Sequence, residues 1–585
     1  MFLTFCHQIL IRNTRKCWKS NLILTPRYYS TKYNIDKNSK KHGGELVASV
    51  LKAHDVKEIF TLCGGHISPI LVGSEQLGIK IYDTRHEVNA VFAADAVARL
   101  RQHIGVAAVT SGPGVTNSIT SLKNAQLAES PVILLAGAAP TLMKGRGALQ
   151  DIDQIPIIQS MCKFTARITN VEEIVPTLRQ AISISQSDTP GPAFIEFPLD
   201  VLQSYQEVLK DASFIKNPDT PEKQNFNESV HQHISRQFHN AWTHVEFGPL
   251  PVTIPKPSLT EIKNIANILE NSKRPLLLMG GAVCDFRLTY GKGFSPEAKV
   301  LSINRSHEQM LKNHGIFWNS AANIQADVGL TLKALQEQMS GKRKWTGQEM
   351  CKEWIEKLRE MEIKKEEDTA KKMTEKPKDG HINPLVLLTA MDEVIPKDAI
   401  LVADGGDFVG SAAYIVRPGG PLQWLEFSKI FNFLIILCPL DPGTFGTLGV
   451  GAGFALGAKA VYPERTVVII YGDGSAGYSF MEFDTFVRHK LPVVGIIGND
   501  ACWTQIAREQ IPHFKSAVAC DLDYTHYEEA AKALGTQSLF LDGDMDVKQV
   551  REALAQAMAK SRADNQSLVV NVLIGKTNFR EGSIS

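Results

Sequence analysis

Three short stretches of this 585-residue sequence carry residue types whose spacing can do chemistry. Gly472-Asp473-Gly474-Ser475 ends one apolar run, and Asn499-Asp500 ends the next, PVVGIIG. A glycine turn that closes a strand and opens a helix presents unpaired N–H groups to a diphosphate. Asp473 and Asp500 then stand at the carboxyl ends of two strands. If those strands are neighbours in a parallel sheet, the two carboxylates can share one hard cation with the phosphates, and magnesium suits that ligand set. The plainer alternative is that Asp473 caps a helix and Asn499-Asp500 forms a turn. The third stretch holds Glu87, which follows an apolar run and opens a helix of small residues, EVNAVFAADAVARL. A first-turn glutamate is favourable with the helix dipole in any case, but the carboxyl edge of a parallel sheet is also where such folds hold ligands. A fourth stretch, GTFGTLGVGAGFALG at 443–457, fails as a dinucleotide fingerprint because Phe454 stands where glycine is needed. Its small residues are expected to admit a backbone close to a ligand or to let helices pack closely.

These residues need strands to present them. From 42 to about 202 a helix at 45–54 is followed by apolar runs at 59–63, 80–84, 106–110, 132–136 and 193–197, with helical patterns between them. Runs at 400–403, 466–471, 492–498 and 568–574 repeat the arrangement in the C-terminal third. Both read as α/β units with parallel sheets. They also share a spacing: Ser111 in TSGPG precedes Pro131 by 20 residues, and Gly472 in YGDGS precedes Pro492 by 20. Any doubly wound sheet can produce one such match, whereas two diverged copies of one module would face each other and build a cofactor cleft. Between them, 203–257 is polar and proline-bearing and reads as a linker or surface excursion. The block from 258 shows clear strands only at 275–281 and 299–303 before a charged stretch at 341–380.

Composition excludes other classes. The chain has 63 Lys+Arg against 62 Asp+Glu, a formal charge of +1, so no global field draws it to nucleic acid. Hydrophobic residues make up 44% and charged residues 21%, which is ordinary for a globular chain of several domains. Nine cysteines without a C-x-x-C pair argue against a disulfide framework or a zinc site. No run reaches the roughly 18 apolar residues of a membrane-spanning helix. Before Asp36 there is no acidic residue, and six Arg and Lys alternate with apolar and hydroxyl residues, which is transit-peptide composition.

Taken together, Glu87 in RHE-x-x-A-x-x-A-D-A-x-A-R, SGPG at 111–114 with Asn117, and GDGS…ND at 472–500 resemble the thiamine diphosphate enzymes of the acetolactate synthase and 2-hydroxyacyl-CoA lyase group. The likeness runs from His42 to Ser585. It implies an α/β chain with two doubly wound parallel-sheet modules that bind thiamine diphosphate, flanking a truncated Rossmann-like middle domain. The implied division is a tail or targeting segment at 1–40, a pyrimidine-binding module at 41–205, a linker at 206–257, the shortened middle domain at 258–340, a charged helical connector at 341–382 and a diphosphate-binding module at 383–585. By resemblance Glu87 bonds the aminopyrimidine ring, and Asn117 is among the cofactor-binding residues. Asp473, Asp500 and the backbone carbonyl of Cys502 hold magnesium with Asn499 beside them. Gly472, Gly474 and Ser475 contact the diphosphate, Leu448 props the cofactor, and Gly405, Gly406 and Asp407 border the diphosphate. His66 and Gln150 lie on the substrate side.

The implied reaction is cleavage of a 2-hydroxyacyl-CoA to formyl-CoA and an aldehyde one carbon shorter. The alternatives are an acetolactate synthase-like carboligase acting on 2-oxo acids and a non-catalytic isoform. The working unit expected from the family is a homodimer or homotetramer. The family also brings an endoplasmic reticulum membrane location as the rival to a mitochondrial one. Three departures stand out. RPLLLMG at 274–280 runs directly into GAVCDFRLTYG, as if central strands of the middle domain were missing, which leaves little support for FAD there. About 15 extra residues at 426–440, largely apolar, interrupt a segment that is continuous in relatives. Cys502 replaces a glycine, which is tolerable if the backbone there does not require positive φ.

Overall fold

The structure is a computed structural model and describes residues 33–212, 218–272, 279–281, 283–340, 352–420, 443–577 and 579. Most of the proposed targeting segment, most of the apolar run before Met279, the first part of the charged connector and the 426–440 insert therefore lie outside the described residues.

The strands run in chain order β1 Glu58–Thr61, β2 Lys80–Asp83, β3 Gly105–Val109, β4 Val132–Ala138, β5 Phe164–Arg167 and β6 Ala193–Pro198 in the N-terminal module. They continue as β7 Met279–Gly280, β8 Val300–Asn304 and β9 Ser320–Gln325 in the middle, then β10 Ile400–Asp404, β11 Val467–Gly472, β12 Val494–Asn499, β13 Gln537–Leu541 and β14 Leu568–Leu573. Among the described residues all pairings between these strands are parallel. The N-terminal sheet has the order β2-β1-β3-β4-β6-β5 and the C-terminal one β10-β11-β12-β14-β13. Without β2 the two orders correspond strand for strand. The TSGPG turn follows β3 and the YGDGS turn follows β11, its counterpart, so the 20-residue spacing in the sequence reports one repeated unit.

A shared core joins the two modules. Phe60, Phe92 and Val109 of one pack with Phe454, Ile469 and Phe483 of the other. Its centre is the contact between two small-residue helices, Glu87–Arg101 and Gly451–Val461. A Cβ on Gly453 would stand 2.6 Å from the Phe92 Cβ, and one on Gly457 would stand 2.3 Å from the Ala93 carbonyl oxygen. Glycine at both positions is what lets the backbones approach this closely. Because Gly453 meets Asn89 and Phe92 while Gly457 meets Ala93 and Ala96, the helices run side by side with their N-termini at the same end. The glycine-rich stretch is thus a helix-packing surface. The outer face of each sheet carries its own core, with Leu51, Ile133 and Phe197 in one and Leu388, Ile470 and Val570 in the other.

Segment 206–257 differs from a free linker. Helix Pro221–Gln237, capped by the Thr220 side chain, lays Val230 and Ile234 onto the N-terminal core, followed by Phe238 and Ala241. These apolar residues recur at helical spacing within otherwise polar text, and their burial is what docks the segment. Among the described residues the middle block has a three-stranded sheet in the order β7-β8-β9, covered by helices Leu259–Glu270 and Val328–Ser340 over a small core of Ile262, Ile265, Ile303 and Leu335. The charged connector contains helix Lys352–Met373, which buries no residue.

Candidate active site

Glu87 is the first residue of helix Glu87–Arg101 and is 5% exposed. The turn after β3 leads into helix Pro113–Asn117, whose last residue donates from Asn117 Nδ2 to Glu87 Oε2 at 3.0 Å. Two residues singled out in the sequence, 30 positions apart, therefore meet. A third partner was not legible there. Glu482, from the C-terminal module, accepts from the Arg85 backbone N–H at 2.8 Å and from Asn89 Nδ2 at 2.9 Å. It ties the turn before the Glu87 helix to a side chain of the helix's first turn, and its burial pushes its carboxyl up. Nothing in local spacing announces a contact spanning 397 residues.

His66 and Gln150 come together at the carboxyl edge of the same sheet. His66 Nδ1 lies 3.2 Å from the Thr110 hydroxyl, which donates to Gln150 Oε1 at 3.3 Å. The Ser111 hydroxyl donates to the Gln150 carbonyl at 2.8 Å. Burial pushes the His66 imidazole down, which favours its neutral form. His66 also packs so tightly on Gly137 that a Cβ there would stand 2.3 Å from its own.

On the C-terminal module, β11 and β12 are neighbours, with Gly472 opposite Gly498. Asp473 opens helix Asp473–Ser479 and Asp500 follows β12 directly, so the adjacency that a shared cation requires is present. Burial pushes the Asp473 carboxyl up to about 7, and the Asp500 charge pushes the same way. Burial also pushes Asp500 up to about 6, against the hydrogen bond it accepts from the Thr504 hydroxyl. Two carboxylates in this state, Asp473 buried and Asp500 half-buried, favour a cation that neutralises both. Among the described residues no three His, Cys, Asp or Glu side chains form a metal-holding group. A cation here would take its third protein ligand from the main chain and the remainder from a diphosphate, an all-oxygen set that fits magnesium.

The other residues of this face have particular tasks. Asn499 is fully buried. Its amide nitrogen donates to Thr525 O and Asn571 Oδ1, and its oxygen accepts from the Ala501 N–H, so it holds the loop that carries Asp500. The Cys502 N–H donates to Asp473 Oδ2 at 3.2 Å. Positive φ falls on Ala501, at 52°, and Cys502 itself is spared. A Cβ on Gly474 would meet the Trp503 ring at 2.4 Å, and one on Gly405, where φ is 147°, would meet the Gly472 nitrogen at 2.8 Å. Neither position can take a side chain without moving the turns that a diphosphate would approach. Gly406 caps helix Asp407–Ile415, and the Asp407 carboxylate is neutralised by Arg508, with one nitrogen at 2.8 Å. The Ser475 hydroxyl bonds the carbonyls of Asp404 and Gly472.

Leu448 is half-buried at the start of the stretch held by Asp404, which the sequence reading passed over. Asp404, fully buried at the end of β10, accepts from the Gly449 N–H at 3.0 Å and the Gly451 N–H at 2.7 Å. Burial pushes its carboxyl up to about 7 against those two bonds. A lone carboxylate ending an apolar run, VAD, was the available signal.

Residues 41–157 match the N-terminal TPP binding domain of thiamine pyrophosphate enzymes, and residues 426–572 match their C-terminal TPP binding domain. The chain is 51% identical over 615 aligned positions to 2-hydroxyacyl-CoA lyase 2 of Caenorhabditis elegans, covering 95% of this chain and 93% of that one. It is 43% identical over 617 positions to 2-hydroxyacyl-CoA lyase 2 of Homo sapiens, covering 95% and 94%. A probable acetolactate synthase of Mycobacterium bovis is 29% identical over 561 positions, covering 91% and 95%. The first two alignments are longer than this chain, so those relatives carry segments with no counterpart here.

Proposed function

The chain belongs to the thiamine pyrophosphate enzymes, and from that premise we propose that it is a magnesium-dependent carbon–carbon lyase that cleaves 2-hydroxyacyl-CoA to formyl-CoA and an aldehyde one carbon shorter. Bound thiamine diphosphate supplies a thiazolium carbon that, once deprotonated, adds to a carbonyl and accepts the electron pair of the adjoining C–C bond. Asp473 and Asp500 hold the cation, with the Cys502 carbonyl as third ligand. Gly472, Gly474 and Ser475, at a helix N-terminus, meet the diphosphate, and Gly405, Gly406 and Asp407 border it. Leu448 supports the cofactor from the loop that Asp404 fixes. Asn117 engages Glu87 Oε2, leaving Oε1 to exchange a proton with the aminopyrimidine ring nitrogen. General acid–base assistance of this kind is worth about 10²–10⁴ in rate. His66, kept neutral by burial, and Gln150 bond the hydroxyl or carbonyl of the substrate. The working unit is a homodimer or homotetramer, in which Glu87 of one chain serves the diphosphate site of another.

The Glu87–Asn117 pair carries the catalytic reading, and the names of the relatives carry the substrate class. The test is product analysis with thiamine diphosphate and magnesium. Formyl-CoA and a shortened aldehyde from 2-hydroxyacyl-CoA are expected. Acetolactate from pyruvate, with no cleavage of the acyl-CoA, would transfer the protein to the carboligase reading.

A further inference from the structure

One buried carboxylate takes no part in the chemistry above. Glu196, on β6, is fully buried. Its Oε1 accepts from Lys144 Nζ at 3.1 Å and from Arg167 Nε, and its Oε2 accepts from Gln154 Nε2 at 3.0 Å. Lys144 lies near the beginning of the loop at 140–153, and Gln154 follows its end. Arg167 reaches Asp153 at 2.9 Å. One carboxylate thus ties together both ends of the loop that carries Gln150.

The loop is also held at Thr141, whose N–H and hydroxyl donate to the Asp200 carboxylate, and at Gln150, whose carbonyl accepts from the Ser111 hydroxyl. It is a succession of turns with Leu149 80% exposed, and Gly145, Gly147 and Gln150 adopt φ of 72°, 82° and 60°. Its shape is therefore set by its anchors. Gln154, itself fully buried, extends the tie to the body of the site. Its Oε1 accepts from the Gly112 N–H at 2.9 Å, two residues beyond Thr110, and its Nε2 also donates to the carbonyl of Gly137, the residue packed on His66.

We propose that Glu196 is a positioning residue which, through Lys144 and Gln154, fixes Gln150, Thr110 and His66 as one rigid substrate-facing surface. This rests on the reading of that surface as the substrate side. Removing the Glu196 charge would strand two cations and can unfold the module, so the test uses Gln154→Leu and Lys144→Met in the full chain with thiamine diphosphate and magnesium. Amides 145–153 are expected to exchange hydrogen at least tenfold faster than in wild type. The kcat/KM for whichever substrate the wild type turns over is expected to fall at least tenfold, while cofactor C2-proton exchange stays within twofold. Unchanged amide exchange overturns the proposal. So does undiminished turnover from a loosened loop, or a parallel fall in C2 exchange and turnover, which marks a merely structural role. Failure of the wild type to cleave 2-hydroxyacyl-CoA refutes the proposed substrate instead and leaves the amide exchange to decide.

Discussion

Asp473→Asn is expected to stabilise the cofactor-free protein while destroying its capacity for the cofactor. Asp473 is 4% exposed, and burial together with the Asp500 charge raises its carboxyl from 3.8 to about 7. Three units at about 1.4 kcal/mol each make its ionisation cost about 4 kcal/mol of folding stability. Asp500, raised to about 6, adds about 3 kcal/mol on the same scale. A raised carboxyl means that the folded chain binds more protons than the unfolded one, so stability falls with rising pH. The penalty is absent below the unfolded value near pH 4, grows as pH rises, and is complete once both folded values are passed near pH 7. Asparagine keeps the side-chain shape, and its oxygen can still accept from Cys502 N–H, but it carries no charge. At pH 8 the cofactor-free variant should gain about 2–4 kcal/mol, which for a cooperative unit of this size raises Tm by several degrees. Thermal melts at pH 5 and pH 8, with and without thiamine diphosphate plus magnesium, provide the assay. Wild type should lose more stability than the variant between the two pH values and recover it on adding both ligands, whereas the variant should show no ligand effect. A variant that melts at or below wild type at pH 8 without ligands, or that still gains stability from them, would refute the reasoning.

Glu87→Gln should reduce C2-proton exchange by about 10²–10⁴ while cofactor affinity, read by calorimetry, stays near wild type; retained exchange would remove Glu87 from its role. Gly474→Ala places a methyl about where the Trp503 ring lies, so tryptophan fluorescence should shift and cofactor affinity should fall at least tenfold. Gly457→Val drives a side chain into the Ala93 backbone and should cost about 3 kcal/mol or more, seen as a loss of folded protein in denaturant melts. A reporter fused to residues 1–40 should accumulate in mitochondria, and localisation at the endoplasmic reticulum would reverse that expectation.

Central strands, buried on both faces, print continuous apolar runs, so β3, β4, β11, β12 and β14 were readable. Strands β5 and β13, half-exposed and flanked by helical text, escaped, although the equally exposed edge strand β2 was readable. The adjacency of Asp473 and Asp500 followed from strand ends alone, whereas Glu87 and Asn117 stood in separate motifs and only the structure shows that they meet. Glu482, Asp404 and Glu196 were not legible, because the partners that give each its role lie 29 or more positions away or in another module. Asn499 and Asp407 were recognised as belonging to the site, yet pattern alone could not show that one holds a loop and the other is neutralised by Arg508. The Pro221–Gln237 helix was hidden by its polar face.

The central claim is that the two modules hold thiamine diphosphate for cleavage of a 2-hydroxyacyl-CoA. Purified full-length protein, supplied with thiamine diphosphate, magnesium and a 2-hydroxyacyl-CoA, should release formyl-CoA and the aldehyde one carbon shorter in equal amounts, detectable by mass spectrometry. Intact acyl-CoA in the presence of bound cofactor would contradict it.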